Sequence, residues 1–75
     1  MVEVNNNGLV LHIRFEGRST DIPLADLDVG RISSDREVKN AVARYLDVSI
    51  EKFAHYVVDR HETGNLTIRP EAVFG

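Results

Sequence analysis

The chain has 75 residues, room for one domain and not two, so residues 1–75 are read as a single unit. Without cysteine it has no disulfide, thiolate metal ligand or cysteine nucleophile, and its 43% apolar residues must hold the fold unaided or with a second copy of the chain. Nine Lys and Arg against twelve Asp and Glu leave a net charge of −3, with the acidic excess in residues 1–30, which argues against a nucleic-acid partner.

No stretch approaches the roughly 20 apolar residues that cross a bilayer, and the opening MVEVNNNG has no basic region followed by an apolar one. The expectation is a cytoplasmic protein without a membrane partner. Asn7-Gly8 is a strong short hairpin signal, because both residues tolerate positive φ; folding Val2–Val4 back across it pairs Val4 with Leu11 and Val2 with Ile13.

Residues 9–15 and 18–24 then form a hairpin around Glu16-Gly17. Pairing Phe15 with Arg18 sets Ile13 against Thr20, Leu11 against Ile22 and Leu9 against Leu24 on one, largely apolar face. His12 with Asp21, Arg14 with Ser19 and Val10 with Pro23 fall on the other. Pro23 lacks an N–H, which places the second strand at a sheet edge.

Residues 25–32 read as a connection anchored by Leu27, Val29 and Ile32. Ser34 and Glu37 have the spacing of a capping box, and Val38, Ala41, Val42, Tyr45 and Leu46 follow at helical intervals, so the pattern predicts a helix over about 34–46. Beyond it two readings compete. Ile50, Phe53, Ala54, Val57 and Val58 keep a helical spacing capped by Ser49; alternatively Ser49–Phe53 is one helical turn, and Tyr56–Arg60 is a strand that returns through His61–Gly64 onto Asn65–Pro70. Tyr56-Val57-Val58 favours the strand, since β-branched residues beside an aromatic are stiff. The predicted core is Leu11, Ile13, Phe15, Ile22, Val38, Val42, Leu46 and Ile68.

The resulting order of strand, strand, helix, strand, strand defines an α+β domain and resembles the β-grasp fold. It is similar to the ubiquitin-like small sulfur-carrier proteins: an N-terminal hairpin, one main helix, and a last strand running into the tail Glu71-Ala72-Val73-Phe74-Gly75. The resemblance implies that residues 66–70 lie parallel to residues 9–15, on the edge that Val2–Val4 would otherwise use. It also implies a C-terminus activated by a partner enzyme. Such carriers end in two glycines because a Cβ-free tail threads the activating enzyme; here Phe74 precedes Gly75. The other reading of Val73, Phe74 and Gly75 is an interaction tail packed on the domain or on another chain.

The remaining motifs point away from catalysis. His55 and His61 are six residues apart, which is not a metal-pair spacing, and His12 with Asp21 is an ordinary cross-strand pair. Asp59, His61 and Glu62 form a polar run without a visible pocket. Ser33, Ser34 and Ser49 sit at helix starts, and no glycine-rich loop is present. The sequence therefore suggests a small non-catalytic protein-interaction module without cofactor or metal, whose partner is another protein or a second copy. A carrier activated at Gly75 is the alternative.

Overall fold

A computed structural model describes residues 8–30 and 32–71. Two strands, β1 (Val10–Phe15) and β2 (Arg18–Pro23), pair antiparallel in the expected register, from Val10 with Pro23 to Phe15 with Arg18. Glu16 (φ 52°) and Gly17 (φ 80°) both take positive φ, the type I′ geometry whose twist matches that of the strands it joins. Leu24–Leu27 then form one short helical turn, α1, closed by Asp28 in the left-handed region.

The main helix, α2, covers Asp35–Leu46. Its start is the capping box read from the sequence: the Glu37 N–H donates to Ser34 Oγ (3.1 Å), and the Ser34 N–H donates to Glu37 Oε1 (2.7 Å). Asp47, also left-handed at φ 60°, ends it with its N–H turned onto the Ala43 and Arg44 carbonyls. A 3₁₀ turn (Ile50–Phe53) follows, capped by Ser49, and the chain re-enters the sheet as β3 (Tyr56–Arg60) and β4 (Leu66–Pro70). The strand reading of residues 56–60 is the one the chain adopts.

The four strands lie in the order β2-β1-β4-β3, with β4 parallel to β1 and antiparallel to β3. This is an α+β domain, and the topology is compatible with a β-grasp arrangement. Both edges of β1 are taken, by β2 and β4; the expected strand at residues 2–4 lies outside the described residues. Pro23 sits on an edge strand, where its missing N–H costs no ladder bond.

Leu11, Ile13, Ile22, Val38, Val42 and Ile68 are buried as expected, and Leu24, Leu27, Val29, Ala43, Phe53 and Leu66 join them. Four expectations need correction. Phe15 and Leu46 are only half-buried, packing at the rim of the core. Tyr45 is half exposed while Ala43 is buried, because the covered face of α2 is turned toward Ala43. The chain leaving the helix causes this: the Val48 N–H returns to the Ala43 carbonyl (2.9 Å) and Phe53 then packs in the core. Ile32, expected as an anchor, is 98% exposed. Its turn closes on itself through Ser33 N–H to the Gly30 carbonyl and Gly30 N–H to Ser33 Oγ, both 3.0 Å, which leaves the side chain outside.

Phe53 is the residue that sequence periodicity undervalues. Its ring centroid lies 5.0 Å from that of Phe15 and 5.2 Å from that of Tyr56, so the 3₁₀ turn plugs the end of the sheet. At the opposite end Gly64 (φ 100°) lies so close to Leu9 that a Cβ would come within 2.9 Å of a Leu9 methyl.

Two stability predictions follow from this packing. Phe53→Ala should cost about 3–5 kcal/mol and Leu11→Ala about 2–5 kcal/mol in chemical denaturation, whereas Ile32→Ser should stay within about 0.5 kcal/mol of the parent. Glu16→Asn should raise stability by up to about 1 kcal/mol, since Asn tolerates the left-handed conformation that Glu16 is held in; a fall in the denaturation midpoint would contradict the turn type.

Candidate functional site

A groove of about 480 Å³ opens between the hairpin and the C-terminal end of α2. Its walls follow from three local decisions. The β1–β2 register sets Thr20 opposite Ile13 and Arg18 opposite Phe15, so two polar residues stand where the helix-facing side of β2 should be apolar. Asp47 terminates α2 by turning left-handed, which brings Val48 back beside Leu46. The helix stops short of this end of β2, where Arg18–Asp21 are exposed and Ile22 is the single buried residue of the strand.

The floor is thus Ile13, Phe15, Leu46 and Val48, and the rim is Glu16, Arg18 and Thr20. Ile13 is buried, while Phe15, Leu46 and Val48 are half-buried, so apolar surface remains open to solvent at the bottom. The rim is of mixed charge, with Lys52 Nζ 3.9 Å from the Glu16 carboxylate across its outer side. The spacing of Phe15 and Leu46 along the chain predicts core positions for both. The signal for a groove was nonetheless present in the hairpin, where Arg18 and Thr20 face Phe15 and Ile13.

The free edge of β2 borders this groove. The Leu24 N–H donates to the Leu9 carbonyl (3.0 Å), which fixes the alternation: Ile22, Thr20 and Arg18 bond to β1, and Ser19 and Asp21 turn their backbone groups outward.

Of the titratable residues singled out in the sequence, His12, Asp59 and His61 each have a separate partner, and His55 and Glu62 are exposed. His12 Nδ1 lies 2.5 Å from Asp21 Oδ1 on the exposed sheet face, the cross-strand pair that the register requires. Asp59 accepts from Arg69 Nε (2.7 Å), and His61 Nε2 meets Thr67 Oγ1 (2.8 Å). His55 is exposed, and its carbonyl accepts from the Glu71 N–H (2.8 Å), extending the β3–β4 ladder one residue beyond Pro70. Ser34 and Ser49 serve as caps. Among the described residues no group of three or more His, Asp or Glu is placed to hold a metal ion. Val73, Phe74 and Gly75 lie outside the described residues. None of the described helices is long and apolar enough to cross a membrane.

Replacing His12, His55 and His61 one at a time should leave the fold intact, each costing no more than about 1 kcal/mol, because these are exposed polar contacts. Zinc titration of the parent should show no stoichiometric binding; one equivalent lost with a single histidine would contradict the separate placement described above. No family model, curated protein or solved structure matches this chain, so the fold and the site stand on its own residues.

Proposed function

We propose that the domain is a non-catalytic protein-interaction module whose groove receives an extended segment of a partner protein. The observation that carries this reading is the continuity between the groove and the open edge of β2. A segment aligned along β2 would exchange backbone hydrogen bonds with Ser19 and Asp21, and every second side chain of that segment would fall on the helix-facing side. An apolar side chain there meets Phe15, Leu46 and Val48, and the polar rim of Arg18, Thr20 and Glu16 offers partners to its neighbours. Filling the groove removes half-exposed apolar area from water, at about 25 cal/mol per Å².

Such a segment needs no deep pocket, because the main-chain bonds supply orientation and one or two side chains supply selectivity. Binding should be modest, since a short strand covers less surface than a stable protein–protein interface of about 1,200–2,000 Å².

The second reading, a carrier activated at Gly75, draws support from one feature of the topology. Among the described residues the last strand, β4, is central in the sheet and parallel to β1, so the residues that precede the tail lie at the middle of the sheet. That reading requires ATP-dependent adenylation of the Gly75 carboxylate, which a protein-binding groove does not.

The test is peptide selection from a displayed random library against the domain, with the C-terminus left untagged. Selected peptides should share an apolar anchor and shift the amide resonances of Ser19 and Asp21 together with the methyl resonances of Leu46 and Val48. Val48→Asp should weaken binding about tenfold or more while leaving the fold intact. Shifts confined to another surface, or selected binders indifferent to Val48→Asp, would reject the groove. Adenylation of Gly75 by an activating enzyme would favour the carrier.

A further inference from the structure

The two edges of the sheet are built differently, and the contrast points to a second surface. The β2 edge is polar: Arg18, Ser19, Thr20 and Asp21 are exposed, and Pro23 limits its outward donors to Ser19 and Asp21. On the β3 edge the charged residues, Asp59 and Arg60, are gathered at one end. Tyr56, Val57 and Val58 are apolar and half-buried, two of them β-branched, with no proline, lysine or bulge among them. An apolar stretch on a sheet edge is a template for another strand.

The ladder defines which backbone groups of β3 are open. The Glu71 N–H donates to the His55 carbonyl and the His61 N–H to the Asn65 carbonyl, so His55, Val57, Asp59 and His61 face β4 and the alternate residues face outward. At one end Arg60 is engaged with its own chain, its guanidinium 2.7 Å from Asp35 Oδ1 and donating to the Ser33 carbonyl at 2.7 Å. The apolar stretch of this edge is Tyr56 to Val58.

We propose that β3 pairs antiparallel with β3 of a second copy, about a two-fold axis through Val57. This register sets Tyr56 of each chain opposite Val58 of the other as a hydrogen-bonded pair, so both outward-facing residues of the apolar stretch are used. It also makes the side chains self-complementary. Tyr56 and Val58, which pack on the core side, meet as an aromatic–β-branched pair. On the opposite side Val57 meets its own copy, and His55 falls across from Asp59, a carboxylate that would face an imidazole rather than another acid. The two sheets become one, and the β2 edges and grooves stay free at its outer ends.

The contact is short, well under the roughly 1,000 Å² expected of a stable interface, so the dimer is concentration-dependent. It stands independently of the groove, because its residues and its occupant are different.

The absence of cysteine from the chain allows a direct test. In the proposed register Val57 and its copy form a non-hydrogen-bonded pair with Cα atoms about 4.5 Å apart, within disulfide range. Val57→Cys should oxidise to a covalent dimer about tenfold or more faster than Ser19→Cys or Val58→Cys, since pairing raises the local thiol concentration. The parent protein should approach twice the monomer mass in sedimentation equilibrium as concentration rises. Val57→Lys should remain monomeric with an unchanged circular-dichroism spectrum, because it sets two cations against each other at the axis. A parent protein that stays monomeric at millimolar concentration, or Val57→Cys oxidising no faster than Ser19→Cys, would overturn the proposal. So would preferential coupling through Val58→Cys, or Val57→Lys dimerising as the parent does.

Discussion

The pairing of β1 with β4 is the constraint on which the rest of the molecule depends. Leu11 with Leu66 and Ile13 with Ile68 align in parallel, and parallel neighbours cannot be joined by a tight turn. The chain between them must leave the sheet, cross one face and return. That requirement gives α2 its place over the sheet, sends the chain back past Phe53 to start β3, and closes the core from both ends. Leu11, Ile13, Leu66 and Ile68, the core-facing residues of this pairing, are all buried, as are Val38 and Val42 on the helix.

Once β1 and β4 occupy the centre, β2 and β3 become the edges, and the polar and apolar residues distribute accordingly. The exposed sheet face carries His12 with Asp21, Arg69 with Asp59 and His61 with Thr67, contacts across neighbouring strands that cost little and hold little. The helix-facing side is apolar except at the two ends of α2, where Arg60 meets Asp35 at its start and the hairpin lies beside its last turn. There Thr20 and Arg18 stand uncovered beside Phe15, and the groove results from a helix too short to cover the sheet it crosses.

The proposed interactions use what this architecture leaves over. An open edge offers hydrogen bonds that water satisfies in the free domain and a second strand satisfies in the complex. On β2 that edge lies beside a groove and is otherwise polar, a combination suited to a transient partner. On β3 it is apolar and symmetric about Val57, suited to a second copy. The two surfaces lie at opposite ends of the sheet order, so occupation of one leaves the other open.

Local interactions were legible in the sequence because they depend on neighbours along the chain. Six cross-strand pairs of the first hairpin follow from matching apolar to apolar around Glu16-Gly17, and the Ser34–Glu37 box marks the start of α2 to the residue. The β-branched run at Val57-Val58 is strand for the same local reason. Coverage is a different matter, since it is set by elements distant in sequence. Which segment takes the second edge of β1 stayed open between residues 2–4 and 66–70 until the ladder placed β4 there. Tyr45 and Ala43 exchange their expected burial because Val48 and Phe53 return over one side of the helix, and Ile32 is exposed because its turn closes on itself. Phe15 and Leu46 satisfy the apolar period perfectly well, yet they line a groove, because periodicity reports which side of an element is apolar and only the packed fold decides how far the opposing element reaches to cover it.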